Sequence, residues 1–289
     1  MTTTTTTLLT GDARAVLATL AAASVDLCVT SPPYGRLIHY GTGRRGDVGA
    51  SGGIDPAGYA DWLVPIVGEI ARVLRPGGVF ALNLNGQEAF TYPEEVAVRI
   101  PRETPLVLHE RMCWVKANAI PSGFRGTHLI PEWEPIWVWR HGPSLAYFGR
   151  DDIRRPYSPT TLRRAAAGNL HRGRQGNHRH QAHPYVRHDK AEYIHSLGRD
   201  AANVIWAAPE QSPQWPHPAR FPEALPAFFV GAYCPPGGTV LDPFGGSGTT
   251  CAVAQKMGRH SIGIEIEAHH IATARDRTRQ PGWVLEDAP

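Results

Sequence analysis

Leu241-Asp242-Pro243-Phe244-Gly245-Gly246-Ser247-Gly248-Thr249-Thr250 is the stretch on which the fold turns. Thr239 to Asp242 has the β-branched, apolar character of a short strand, Gly245 to Gly248 reads as a tight turn, and Thr249 to Met257 as a helix. A carboxylate at the C-terminal end of a strand, followed by a glycine turn into a helix, is how an open α/β sheet builds a ligand crevice. Glycines let backbone approach a ligand, and the helix start offers unpaired N–H groups. The next strand, Ser261 to Ile266, carries Glu265 23 residues after Asp242, a spacing suited to an acid that accepts hydrogen bonds from ribose hydroxyls. No Gly-Lys-Ser/Thr follows the turn and its glycines do not space as G-x-G-x-x-G, so a nucleoside without a phosphate chain fits better than ATP or NAD. Taken alone, the same run would also serve as a plain strand–helix turn.

Outward from this stretch, Ala268 to Arg279 reads as a closing helix and Phe221 to Tyr233 as a helix broken or kinked at Pro226. Near the start, Leu8 to Asp12 is a short strand and turn, Ala13 to Leu20 a helix, and Val25 to Thr30 a strand. Tyr59 to Leu74 is a helix stopped by Arg75-Pro76-Gly77-Gly78, and Val79 to Leu84 a buried strand. Val107 to Lys116 and Pro135 to His141 are aromatic-rich strands. This alternation predicts a doubly wound, mostly parallel α/β sheet. Met1 to Thr7, nearly all Thr, is expected to be a disordered tail. Residues 35–57 hold seven glycines and are expected to form either a mobile lid or a disordered loop.

Thr30-Ser31-Pro32-Pro33-Tyr34 closes the strand that begins at Val25. Two prolines cannot continue a sheet ladder, and lacking N–H donors they present carbonyl acceptors in fixed directions. A planar ring bearing an amine could donate to such a shelf while Tyr34 stacks on its face. Alone, the tetrapeptide could be an extended turn; paired with the glycine turn it points to a site.

Composition narrows the rest. Apolar residues are 42% of the 289 and charged residues 19%, enough for a core and against wholesale disorder. The four cysteines, Cys28, Cys113, Cys234 and Cys251, form no C-x-x-C, so neither a disulfide framework nor a cysteine zinc site is expected, and no metal site is assigned. No apolar run reaches the roughly 18 residues of a membrane span and no signal peptide is seen, so a soluble, cytoplasmic protein is expected. The formal charge is only +3, but nine Arg and Lys against three Asp give residues 151–190 a net +6. Five histidines lie in the same stretch, which reads as an inserted, weakly structured basic module.

These motifs together resemble the β group of bacterial DNA amino-methyltransferases that use S-adenosylmethionine, with S-P-P-Y early and D-P-F-x-G-S-G-T-T late. Gly11-Asp12-Ala13, Trp114-Val115-Lys116-Ala117-Asn118, Glu132-Trp133-Glu134-Pro135-Ile136, residues His217 to Glu223, and Gly263-Ile264-Glu265 add to the likeness. The resemblance implies a Rossmann-like methyltransferase domain over residues 8–142 and 204–289, with 143–203 as a basic target-recognition insert. It implies that Asp12, Thr30, Asp242, Phe244, Gly245, Gly246, Ser247, Gly248, Thr249 and Glu265 hold the cofactor. Asp242 would contact its methionine part, Glu265 its ribose and Asp12 its adenine amine. Ser31, Pro32, Pro33 and Tyr34 would form the catalytic shelf for a flipped base.

Within that family, Ser as the first shelf residue accompanies methylation of cytosine N4, and Asp or Asn that of adenine N6. Cytosine N4 is therefore expected, with adenine N6 or a catalytically inactive DNA-binding relative as alternatives. C5-cytosine chemistry would need a Pro-Cys nucleophile, and no cysteine here follows a proline. Double-stranded DNA is the expected partner, with Arg36, Arg44 and Arg45 of the lid and Arg154, Arg155, Arg163, Arg164, Arg172 and Arg174 of the insert as candidate contacts. A companion restriction endonuclease encoded nearby, and a monomeric or homodimeric state, are both left open.

Overall fold

Short runs, most of them apolar or β-branched, pair into one sheet of nine strands among the described residues. The computed structural model describes residues 4–33, 56–86, 91–117, 132–166, 194–209, 221–279 and 284–287. The strands are β1 (Thr5–Thr10), β2 (Val25–Thr30), β3 (Leu74–Asn83), β4 (Leu106–Lys116), β5 (Trp133–His141), β6 (Val204–Ala207), β7 (Thr239–Asp242), β8 (His260–Glu265) and β9 (Val284–Asp287). They lie in the order β6-β4-β5-β3-β2-β7-β8-β1-β9. Only β5 runs antiparallel to its neighbours, so the expected doubly wound, mostly parallel sheet is found.

Helices α1 (Ala13–Leu17), α2 (Tyr59–Val73) and α3 (Tyr92–Glu103) bury Leu17, Leu63, Ile66, Ile70, Val96 and Ile100 in one core with Cys28, Phe80, Leu82, Trp139 and Leu241. The alternate strand residues Leu27, Val29, Val79, Ala81, Val138 and Val240 are also buried, so both faces of the sheet are covered. Helices α5 (Ala224–Tyr233), α6 (Thr249–Lys256) and α7 (Ala268–Thr278) provide the second layer.

Several expectations need correction. Residues 5–7 are not a tail: β1 lies between β8 and β9, Thr6 is fully buried, and its Oγ1 lies 3.0 Å from Ser261 Oγ. β-branched Thr suits such a strand, and the pairing supplies what a run of polar residues lacks by itself. Arg75 to Gly78 ends α2 as read, but within β3, as a bulge where the register jumps from Val25↔Leu74 to Leu27↔Val79.

Residues 150–202 form a second compact unit. It falls within the 143–203 read as an insert, while residues 143–149 stay with the large unit. There the Ala146 N–H donates to the Gly77 carbonyl at 3.0 Å and the Gly149 N–H to the Ala232 carbonyl at 2.9 Å. The second unit is also more ordered than a weakly structured module over its described part. It contains α4 (Pro159–Ala166), begun by Ser158, whose Oγ accepts from the Thr161 N–H at 3.1 Å. Arg155 pairs with Arg199 through both backbone N–H groups.

Candidate active site

Strands β2, β7, β8 and β1 are consecutive and parallel, so their carboxyl ends open on one edge. From β2 the chain goes through α2 to β3 on one side; from β7 it goes through α6 to β8 on the other. The crevice between β2 and β7 is thus the switch point where open α/β sheets bind ligands. A hydrogen bond spans it: Thr30 Oγ1 donates to Asp242 Oδ1 at 2.6 Å.

Asp242 is almost fully buried. Its Oδ1 also accepts from the Phe244 N–H at 3.1 Å, and its Oδ2 from Thr250 Oγ1 at 2.7 Å. Burial pushes its pKa up to about 6, against these hydrogen bonds, which pull it down. Glu265 goes the other way. Burial raises its pKa, but His270 and the N–H groups of Glu267 and Gly246, both at 2.9 Å, outweigh that and hold it below the usual carboxylate range. One edge thus carries a carboxylate poised near neutrality and another fixed as an anion.

Between them the turn takes the shape only glycine permits. Gly248 has φ +78°, and a Cβ there would lie 2.7 Å from Ala274 Cβ. Ser247 Oγ and Glu267 Oε1 are buried and have no hydrogen-bond partner among the described residues. Thr249 Oγ1 accepts from Arg277 at 2.9 Å, and Arg277 also reaches Glu223 at 3.0 Å, tying α7 to the starts of α6 and α5. Phe244 faces Trp62 of α2, ring centroids 5.7 Å apart. Asp12 stands at the end of the adjacent β1, where Oδ1 caps α1 by accepting from the Arg14 and Ala15 N–H groups at 3.0 and 3.1 Å.

Ser31, Pro32 and Pro33 leave β2 at this same edge; Tyr34 lies outside the described residues, as do Arg36, Arg44, Arg45, Arg172, Arg174 and the glycine-rich segment up to residue 55. The Pro33 carbonyl accepts from the Tyr59 hydroxyl at 2.7 Å. Reading the sequence passed over Tyr59 and Trp62, because their spacing in α2 looks like that of any core helix. It named the segments holding Lys116 and Glu134 only as part of the family likeness and did not join them with Asn83 into the polar group that β3, β5 and β4 form. Asn83 Nδ2 donates to Glu134 Oε2 at 3.2 Å, and Lys116 Nζ pairs with Glu134 Oε1 at 2.7 Å. Asn83 and Ser31 each follow by one residue the paired Leu82 and Thr30, so the group borders the shelf. Burial and the Asp242 carboxylate push the Cys251 thiol up to about 12 and that of Cys28 up as well, which disfavours either as a thiolate nucleophile.

A family model for DNA methylases, covering both N6 and N4 enzymes, matches residues 25–276. The chain belongs to the N6/N4 DNA methylase family. Type II methyltransferase M.ScaI of Streptomyces caespitosus is 26% identical over 92% of this chain and 79% of its own. M.SmaI of Serratia marcescens is also 26% identical, over 92% and 88%. Among solved structures, PvuII DNA methyltransferase (cytosine-N4-specific) superposes with a TM-score of 0.67 at 20% identity, covering 98% of this chain and 89% of that one. M1.HpyAVI in complex with SAM gives 0.59 at 18% identity, over 95% and 100%.

In the second unit of this methylase the candidate arginines divide. Arg154 is committed internally, to Asp151 at 2.6 Å, Asp200 at 3.1 Å and the Gly198 carbonyl at 3.0 Å, with a side chain only 10% exposed. Arg155 is partly buried. Arg163 and Arg164 are exposed on α4. No helix among the described residues is long and apolar enough to cross a membrane.

Proposed function

We propose that this DNA methyltransferase moves a methyl group from S-adenosylmethionine to the N4 amine of a cytosine flipped out of duplex DNA. The carrying observation is a neutral serine, Ser31, on a proline-fixed shelf next to the Thr30–Asp242 bridge across the switch point. The cofactor-site residues fit that ligand. Ser247 Oγ, without a hydrogen-bond partner among the described residues, lies in the glycine turn, the Glu265 carboxylate stands at the end of β8 where ribose hydroxyls would donate, and Asp242 offers negative charge to a cationic methionine moiety. Asp12 and Phe244 flank the same edge. When bound, the cofactor supplies a methyl group already activated by its sulfonium charge.

The protein's own part is to position the amine. Its lone pair is delocalised into the base, which makes it a poor nucleophile. Ser31 Oγ and the Pro32 carbonyl accept its two N–H bonds and turn the lone pair toward the methyl, so the N–CH3 bond forms as the S–CH3 bond breaks, a direct displacement with no covalent enzyme intermediate, after which the methylated amine gives up one proton to water. A base inside a duplex cannot reach such an edge, so it leaves the stack, and Tyr34 stacks on it.

Digesting methylated oligonucleotides to nucleosides for mass spectrometry tests the reading: N4-methylcytosine is expected, and N6-methyladenine as the sole product overturns the choice of base. Tyr34→Ala should lower methyl transfer by about 100-fold with cofactor affinity unchanged; a fully active variant removes Tyr34 from the shelf.

The second unit is proposed to contact DNA phosphates through Arg163 and Arg164. Their joint replacement by Ala should weaken DNA binding and reduce the slope of log affinity against log salt by about 1.8, two phosphate contacts' worth. An unchanged slope in a fluorescence-anisotropy titration would remove them from the interface.

A further inference from the structure

We infer that Tyr59 is a positioning residue for methyl transfer, fixing the direction in which the chain leaves the proline shelf; this rests on the reading of Ser31 to Tyr34 as the target-base site. The backbone angles of the shelf are not all equally fixed. The pyrrolidine rings hold φ of Pro32 and Pro33, and a proline after Pro32 restricts its ψ as well. The Pro32 carbonyl is therefore aimed by covalent geometry alone. ψ of Pro33 is not restricted in that way, and it sets both the Pro33 carbonyl and the exit of the chain toward Tyr34. The Tyr59 hydroxyl, donating to that carbonyl at 2.7 Å, fixes this remaining angle.

Tyr59 is itself held on several sides. It is fully buried at the start of α2, its ring lies 4.4 Å from that of Tyr92, and it meets Trp62 edge-on at 5.4 Å. Trp62 in turn packs against Phe244 of the cofactor turn. A short aromatic row thus braces the shelf against the wall of the neighbouring crevice, and its Tyr59 hydroxyl meets the shelf at the Pro33 carbonyl. Tyr92 uses its own hydroxyl elsewhere, on the Asn85 carbonyl at 2.9 Å. Removing the Tyr59 hydroxyl while keeping its ring should leave both binding sites formed but let the exit angle wander.

The test compares Tyr59→Phe with Tyr92→Phe, which loses an equivalent buried hydroxyl in the same aromatic row. Single-turnover methyl transfer at saturating DNA and S-adenosylmethionine is expected to fall by about tenfold or more in Tyr59→Phe. Its dissociation constants for both ligands should stay within about twofold of wild type, as should the rate of Tyr92→Phe. A wild-type rate in Tyr59→Phe overturns the inference, and so does an equal loss in both variants or a loss accompanied by clearly weakened binding of either ligand. Ser31→Ala, assayed alongside, separates the two readings. A fully active Ser31→Ala overturns the base-site reading itself, whereas a slow Ser31→Ala beside an unimpaired Tyr59→Phe overturns only the role of Tyr59.

Discussion

Asp242→Asn is expected to weaken S-adenosylmethionine binding by about 100-fold or more, in line with loss of a charge-assisted contact, while making the ligand-free protein more stable above pH 6. The two effects share one cause. Burial raises the folded-state pKa of Asp242 to about 6 from an ordinary 3.8, so the folded protein holds this proton more tightly than the unfolded chain does. The resulting stabilisation is complete below about pH 4 and is lost as pH rises through about 6. Above that, the fold carries a buried anion at a cost on the order of 3 kcal/mol.

Asn removes the charge and can keep the hydrogen bonds. Its carbonyl can accept from Thr30 and the Phe244 N–H, and its amide can donate to the Thr250 hydroxyl oxygen. Melting curves from pH 4 to 8 should show the variant gaining on wild type across that interval, and a pH-independent gap contradicts the argument. On the same linkage, cofactor affinity of the wild type should be level above about pH 6 and fall below it, because a cationic ligand favours the ionised carboxylate. Calorimetric titration giving equal affinity at pH 5 and pH 7.5 would count against Asp242 as its contact.

Gly248→Ala should cost about 2–4 kcal/mol of stability, from left-handed strain together with overpacking. Gly248 has φ +78°, and the added methyl would fall 2.7 Å from Ala274 Cβ and 3.0 Å from its Cα, so α6 and α7 must part. Gly237 provides the comparison: φ is +72°, but nothing lies within 4 Å of a Cβ there. Gly237→Ala should therefore cost only about 1 kcal/mol, the strain alone. Chemical denaturation of both variants measures the difference. Equal losses would mean that helix packing is not what demands glycine at 248. Cofactor affinity should also drop in Gly248→Ala, because the turn carrying Ser247 moves with it.

Where the sequence spoke clearly, local chemistry was enough. Val25 to Thr30 is β-branched and ends at prolines, and the glycine turn after Asp242 has few other uses, so β2, β7 and α6 lie where they were read. Other elements gave no such signal. Helix α3 contains Pro93 in its first turn, where proline is tolerated, and Pro101 inside it, where the missing N–H forfeits a bond to the Ala97 carbonyl, so the sequence pattern is obscured. Strand β6 has four residues, and it exists because β4 offers it a parallel edge. The threonines of β1 read as a tail because their partners, β8 and β9, lie some 250 residues away in the chain.

The candidate site divides in the same way. Residue types and their order along the chain named Ser31, Asp242 and Glu265, because a carboxylate before a glycine turn and a serine before two prolines are local arrangements with few alternatives. Contacts across the sheet were outside that reach: the Thr30–Asp242 bridge, the Tyr59 hydroxyl on Pro33, Arg277 on Thr249 and the Asn83–Glu134–Lys116 group. Each joins residues from separate elements, and only strand order and register bring them within hydrogen-bond distance. So does the raised pKa of Asp242, since desolvation is a property of everything packed around a carboxylate rather than of its neighbours in the chain.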